Sequence, residues 1–166
     1  MREFSVMIAP TVNSYKRLCP GAWAPINMTW GVENRTTGFR AITGDADSQR
    51  IENRLPGADS NPYLALAATL GAGYLGIKEK IEPTPETQGG AYDLKLDRKY
   101  QVPSDLGEAA KLFKQSESAK NLFGETFVNH FANTRTWEYE EFKKNKNPFD
   151  SSIISTWELE RYFELI

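Results

Sequence analysis

The chain has 166 residues, of which 40% are hydrophobic and 25% are charged, and its formal net charge is −2. This size and composition indicate one ordinary globular domain and exclude a disordered or fibrous chain. The pI near 5.6 offers no basic footprint for nucleic acid, and no apolar run or charge-rich amphipathic stretch suits a membrane. A single cysteine, Cys19, excludes an internal disulfide framework, and the apolar run at residues 1–15 is too short for a signal peptide, so we expect a cytoplasmic protein.

The segment 26–55 has the composition of a β-sheet. It is rich in Thr, Ile, Phe, Val and Trp, with Gly and Asp between the runs. These runs predict strands at 26–31, 36–42 and 49–55, the last two joined by a turn near Gly44.

The third predicted strand carries charges at alternate positions. Arg50, Glu52 and Arg54 share one face, because side chains alternate across a strand. Two interpretations are open. The stripe could be a solvated edge whose ion pairs contribute under about 1 kcal/mol each, or it could bind an anion.

The distribution of basic residues favours the second interpretation. Between residues 16 and 54 there are five arginines and one lysine, whereas three arginines and ten lysines follow. Arginine is preferred where a planar fork grips a carboxylate or phosphate, and lysine suffices on a solvated surface. The first third of the chain therefore indicates an anion-handling site.

The remainder of the chain indicates helices. Asn61 as N-cap and Pro62 at the first position predict a long, mostly buried helix through Ile81. The segment 83–102 has loop composition. Two or three helices follow. The first is predicted to begin at Ser104, and one of its faces carries Leu106, Ala109, Ala110 and Phe113. The next is predicted to begin at Ser116 and carries Leu122, Phe123, Phe127 and Phe131, and a last helix begins with a Ser155–Glu158 capping box.

Two motif-like features are set aside. The glycines at 71, 73 and 76 match a dinucleotide-binding pattern, but they lie within the long predicted helix and not after a strand. We interpret them as a small-residue packing face. His130 has no second metal-type neighbour at helical spacing except distant acidic residues, so a surface or half-buried structural role is favoured.

Four blocks in fixed order resemble one known family. The blocks are "NSYKRLCPGAWAP" (13–25), "NRTTGFR" (34–40), "RIENRLPGADSNPYLALAATLGAG" (50–73) and "WELERYF" (157–163). They are similar to the C-terminal part of the glutamine synthetase catalytic domain. The resemblance implies an α+β fold in which an antiparallel sheet forms half of an active-site funnel backed by helices, with residues 1–166 as one portion of that domain.

The resemblance implies an ATP-dependent ligase that joins the γ-carboxylate of glutamate to ammonia or an organic amine, with Mg²⁺ or Mn²⁺, in a ring-shaped homo-oligomer. The implied roles are a metal ligand at Glu52, phosphoryl stabilisation at Arg35 and Arg54, substrate binding at Arg17 and Arg54, and nucleotide binding at Arg40 and Arg50. Residues 35 and 40 differ by an odd number, so Arg35 should lie in the loop before the strand, or a bulge must intervene.

Departures from the family pattern also matter. Trp23 stands where ammonia-using members carry a flap glutamate, and tryptophan can enclose a larger amine but cannot remove a proton. Asp45 and Asp47 lie in a stretch where the family's glutamine synthetases often have a lysine near the adenine, and they put that contact in doubt. Of the family's metal ligands only Glu52 is present, so we expect the chain to be a C-terminal portion that is inactive alone.

A second class of function stays open, namely a non-catalytic relative kept as a structural or interaction protein. Retention of the site arginines and of Glu52 favours the ligase, because a structural descendant has no reason to keep them.

Overall fold

The computed structural model describes residues 1–145 and 150–164, which form a three-stranded sheet and seven α-helices. The strands are β1 (Trp30–Val32), β2 (Phe39–Ile42) and β3 (Arg50–Asn53). The helices are α1 (Ser5–Ile8), α2 (Ser14–Arg17), α3 (Pro62–Lys78), α4 (Leu106–Gln115), α5 (Glu117–Phe123), α6 (Glu125–Lys144) and α7 (Thr156–Tyr162). The predicted α+β class is confirmed.

The sheet is mixed, whereas a wholly antiparallel sheet was predicted. β2 pairs with β3 antiparallel, but β1 pairs with β2 in parallel, with Trp30 opposite Phe39. Only six residues, 33–38, connect the parallel pair. They reverse direction twice, because Glu33 adopts a φ of +51° and the Asn34 side chain accepts a hydrogen bond from the Thr36 amide at 2.9 Å.

Each strand is shorter than predicted. Residues 26–29 lie outside β1, and Asn27 forms an isolated antiparallel bridge with Gln101. The segment 83–102 is a loop as predicted, apart from one 3₁₀ turn at Arg98–Tyr100. Local β-propensity identified the strands but not their ends, which depend on where a partner strand stops.

The N-terminal segment forms the centre of the core, which the sequence had not indicated. All four residues of α1 are buried, and α1 packs against both α3 and α4. Next to it lies a cluster of phenylalanines from α4, α5 and α6, in which Phe127 and Phe131 stack with ring centroids 5.6 Å apart. Edge contacts with Phe113 complete this cluster.

α3 begins as predicted but is not mostly buried. The Asn61 side chain accepts hydrogen bonds from the amides of Tyr63 and Leu64, which confirms the N-cap, and the helix ends at Lys78. Only Ala68 is buried in the helix. The exposed large apolar side chains of α3 are Tyr63, Leu66, Leu70, Tyr74 and Ile77. The helix is apolar all round, so its composition did not show which face the rest of this chain would cover.

Of the three glycines in the dinucleotide-like pattern, only Gly71 supports the packing interpretation. A Cβ at Gly71 would lie 3.1 Å from the Phe123 ring, so this glycine allows α3 and α5 to approach closely. No atom of the described residues lies within 4 Å of the corresponding positions at Gly73 and Gly76. His130 is exposed on α6, as the sequence favoured.

The helical segment after residue 103 differs from the prediction at two points. Asp105, and not Ser104, caps α4, because its side chain accepts from the Glu108 amide. The helix predicted from Ser116 is two helices, since Gly124 with a φ of +84° ends α5 and begins α6. The predicted capping box at Ser155 is confirmed.

α7 is fixed to the rest of the chain by ion pairs. The Glu138 carboxylate on α6 accepts two hydrogen bonds from Arg161, at 3.0 and 2.8 Å, and Lys16 donates to Glu158 at 2.7 Å. Within the described ranges, no helix combines the length and apolar character needed to cross a bilayer.

Candidate active site

Glu52 lies between two guanidinium groups on the sheet. The antiparallel register places it directly opposite Arg40, and the Arg40 Nη1 donates to its Oε2 at 3.2 Å. Its other oxygen is 3.7 Å from the Nε of Arg54, the first residue after β3. The alternation that the sequence predicted therefore brings Glu52 and Arg54 together, whereas the contact of Glu52 with Arg40 comes from the antiparallel register.

A further carboxylate, Glu33, holds Arg40 from the other side. Its Oε2 accepts from the Arg40 Nε at 3.0 Å and also from Nη2. The hydrogen bond from Arg40 lowers the pKa of Glu33, and the nearby charge of Arg50 acts in the same direction. The sequence reasoning missed Glu33, since it stands just before a family block and its approach depends on the parallel pairing of β1 with β2.

Arg17 reaches the end of β3 from α2. Its Nη1 donates to the Leu55 carbonyl at 2.8 Å and its Nη2 to the Arg54 carbonyl at 3.0 Å. Burial lowers the pKa of the Arg17 guanidinium, while the neighbouring Asp59 carboxylate opposes that change. These two hydrogen bonds join the first family block to the third.

Arg54 carries the clearest unmet hydrogen-bonding demand of the site. Its Nη1 is buried and has no hydrogen-bond acceptor within the part of the chain that the structure describes. A buried cationic N–H without an acceptor is costly, and a phosphate or carboxylate oxygen supplies the charge-assisted bond that it lacks. This atom fits a bound anion.

The other predicted site residues are not in contact with Glu52. Arg35 is exposed in the loop before β2, which is one of the two placements that the spacing allowed. Arg50 is exposed and donates to the Ser48 carbonyl at 2.8 Å. Trp23 is 86% exposed and adopts a φ of +55°, a left-handed conformation that bulky residues rarely adopt. Asp45 and Asp47 are exposed in the loop between β2 and β3.

The residues present do not by themselves fit a divalent metal ion. Over residues 1–145 and 150–164, no three His, Cys, Asp or Glu side chains are grouped closely enough to hold one. Glu52 supplies one carboxylate, and both of its oxygens face arginines. Mg²⁺ and Mn²⁺ need several oxygen ligands, and Glu52 alone does not supply them.

The sheet thus carries a cluster of arginines and carboxylates, which hydrogen bonds link to Arg17 of α2 and to Thr69 of α3, within an α+β fold. A family model described as the glutamine synthetase catalytic domain matches residues 1–162. The chain belongs to the glutamine synthetase family.

Curated relatives include proteins with different named amines. The chain is 40% identical to a glutamate–isopropylamine ligase of a Pseudomonas species and 42% identical to a gamma-glutamylethanolamide synthetase of Streptomyces coelicolor. It is 43% identical to the type-1 glutamine synthetase 2 of Dictyostelium discoideum. Each alignment covers 99% of this chain but only 34%, 33% and 30% of the relative, respectively. The chain therefore spans about a third of the length of these relatives.

Proposed function

We propose that this chain is part of an ATP-dependent ligase that joins the γ-carboxylate of glutamate to an amine. The observation that carries the proposal is the buried Nη1 of Arg54, which has no acceptor among the described residues and belongs to a guanidinium beside Glu52. An anion is the partner that this group lacks, and both ATP and glutamate are anions. Family membership and the names of the relatives support the same reaction class.

The proposed reaction has two steps. A γ-carboxylate oxygen of glutamate attacks the terminal phosphorus of ATP, ADP leaves, and γ-glutamyl phosphate forms. The amine nitrogen then attacks the acyl carbon, phosphate leaves, and the nitrogen loses a proton. Negative charge spreads over the phosphoryl oxygens in the first step, and guanidinium groups held in advance at those oxygens stabilise it.

The chain's own residues would bind and orient the anions. Arg54 and Arg35 are proposed to stabilise the transferred phosphoryl group, and Arg40 and Arg50 to contact the nucleotide. Arg17 keeps N–H donors beyond the two hydrogen bonds that it makes to carbonyls, and these are proposed to bind the glutamate carboxylate.

The test of the anion site is nucleotide binding by the purified chain without added metal. Titration calorimetry would compare the parent with Arg54→Gln, and with Lys144→Gln on α6 as a control for loss of one positive charge. We expect Arg54→Gln to weaken ATP binding roughly tenfold or more, as removal of a charge-assisted hydrogen bond does. Equal affinities for all three proteins would contradict the proposal.

Turnover is tested on the full gene product. Phosphate release would be followed with glutamate, ATP, Mg²⁺ and an amine, for the parent and for Arg35→Ala. Loss of kcat with little change in KM is expected if Arg35 acts in the transition state. A gene product that binds ATP but releases no phosphate with any amine would instead indicate the non-catalytic relative.

We further propose an organic amine as the preferred nucleophile. Trp23 lies in the exposed segment 20–23, the flap segment, and 86% of its surface is exposed, so an apolar or cationic chain can contact its ring. The names of two relatives, which specify isopropylamine and ethanolamide, support this choice. Polyamines and small alkylamines are the classes to be compared with ammonium.

The assembly and location of the full protein are proposals of the same kind. A ring-shaped homo-oligomer in the cytoplasm is proposed from family membership and from the single, reduced cysteine. Light scattering and electron microscopy of the full gene product test the ring.

A further inference from the structure

The backbone that carries Arg54 is fixed at every polar group. The Arg54 amide donates to the Gly38 carbonyl at 2.9 Å, and the Arg54 and Leu55 carbonyls both accept from Arg17. The remaining group is the Leu55 amide, which donates to the side-chain oxygen of Asn53 at 3.1 Å. Leu55 itself is fully buried. These hydrogen bonds therefore hold the backbone at the end of β3 in a single position.

Asn53 links this strand end to helix α3. Its Nδ2 donates to the Oγ1 of Thr69 at 2.8 Å, and the Thr69 hydroxyl in turn donates to the Ala65 carbonyl at 2.7 Å. Because the hydroxyl proton is used toward Ala65, Thr69 must accept from Asn53. That requirement sets the amide orientation and leaves the Asn53 oxygen facing the Leu55 amide.

We propose that Asn53 is a positioning residue that acts through Arg54, with Thr69 as its support on α3. The inference rests on the proposed function, in which the Arg54 Nη1 meets an anion. A guanidinium stabilises a developing charge best when it is held in place before the reaction. Asn53 supplies this because it fixes the amide immediately after Arg54, on the face of β3 opposite Glu52.

Asparagine is the side chain that satisfies both partners. Aspartate could accept from the Leu55 amide but could not donate to Thr69, and alanine does neither. Asn53 lies within the third family block, but the sequence gives no sign of this role, which depends on the contact between β3 and α3.

The test measures the order of the Arg54 side chain directly. Nitrogen relaxation at the Arg54 Nε would be recorded for the parent chain, Asn53→Ala, Thr69→Val and Thr69→Ser, and ATP affinity would be measured alongside. Thr136→Val is the matched control, because Thr136 on α6 also donates to the carbonyl four residues earlier, that of Ala132, at 2.9 Å. This hydrogen bond joins two residues of α6 and does not involve Asn53.

We expect Asn53→Ala and Thr69→Val to lower the order parameter of the Arg54 Nε and to weaken ATP binding severalfold. Thr69→Ser, which keeps the hydroxyl, should restore both, and Thr136→Val should change neither. If Asn53→Ala does not fold, the comparison of Thr69→Val with Thr69→Ser decides the question. An unchanged order parameter in Thr69→Val overturns the proposal.

Failure of this inference is distinct from failure of the proposed function. The relaxation measurement needs no nucleotide, so it reports on Asn53 even if the chain binds no ATP. An ATP affinity that is indifferent to Arg54→Gln would contradict the anion site, and the order of the Arg54 side chain would still be measured.

Discussion

Arg40 on β2 and Glu33 in the loop before it form a two-pronged contact in which Nε and Nη2 of the arginine both donate to one glutamate oxygen. Glu52 holds the third nitrogen. The charge of Arg40 is therefore offset by two carboxylates, which opposes its proposed contact with nucleotide phosphates. To bind a nucleotide phosphate, Arg40 must therefore break its contact with Glu33 or with Glu52.

The first prediction concerns release of Arg40. Glu33→Gln removes one negative charge and weakens the contact, so ATP binding without metal should become severalfold tighter at low salt. Calorimetry at low and high salt checks this, with Glu140→Gln, an exposed residue of α6, as the control for loss of one carboxylate. Unchanged affinity in Glu33→Gln would show that Arg40 has no part in nucleotide binding.

The second prediction concerns the close approach at Gly38. A Cβ at this position would lie 2.5 Å from the Asn27 carbonyl oxygen, which belongs to the backbone and cannot move aside easily. Gly38→Ala should therefore lower the free energy of unfolding by about 1–3 kcal/mol. Gly90→Ala is the matched control, since no described residue has an atom within 4 Å of its Cβ position and its φ is not positive.

Chemical denaturation of both variants checks this prediction. Equal midpoints for Gly38→Ala and Gly90→Ala would mean that the strand shifts to accept the methyl group. Such a shift would also disturb the Gly38 carbonyl, which accepts from the Arg54 amide.

The third prediction is a dependence of stability on pH at Glu108. Burial alone would raise the pKa of this carboxyl, but hydrogen bonds from Ser104, Arg2 and Arg98 lower it to about 2. A group whose pKa is lower in the folded state stabilises the protein above its ordinary pKa of 4.5, and that contribution is lost as the pH falls from 4.5 toward 2. Glu108→Gln should therefore be less stable than the parent at pH 7.

Thermal unfolding between pH 7 and pH 2.5 checks the window. The difference in midpoint between the parent and Glu108→Gln should narrow steadily below pH 4.5. Glu140→Gln should show no such narrowing, because Glu140 makes only long contacts to Lys143, at 3.3 and 3.4 Å, on the surface. A constant difference across the range would contradict the assigned pKa.

Several parts of the fold could be predicted because their cause is local. The Asn61 cap and the Ser155–Glu158 box involve residues within three positions, so the sequence alone specifies them. The contact of Glu52 with Arg54 follows likewise from strand alternation. The break at Gly124 was equally local, but the apolar phenylalanine spacing continued across it and concealed the boundary.

Other parts depend on tertiary pairing that no local pattern contains. The contact of Glu33 with Arg40 needs the parallel register of β1 and β2, and the contact of Asn53 with Thr69 needs α3 to lie against β3. The exposed side of α3 was misjudged for a related reason, since apolar composition indicates that a surface prefers burial but not which partner buries it.

The last prediction separates function from stability at Trp23. The side chain is 86% exposed, and its φ of +55° is unfavourable for a bulky residue but natural for glycine. Trp23→Gly therefore loses little packing and relieves strain, while it adds chain entropy to the unfolded state, and these opposing terms are each about 1 kcal/mol. The free energy of unfolding should change by less than about 1 kcal/mol, which denaturant titration measures.

In the full gene product Trp23→Gly should lower kcat/KM for isopropylamine, ethanolamine and putrescine relative to ammonium. Trp23→Glu, which restores a flap carboxylate, should shift the preference further toward ammonium, because a carboxylate can hold the ammonium ion and accept its proton. If instead Trp23→Gly unfolds the chain while the amine ranking of Trp23→Glu stays that of the parent, Trp23 is a packing residue of the flap and the amine is selected elsewhere.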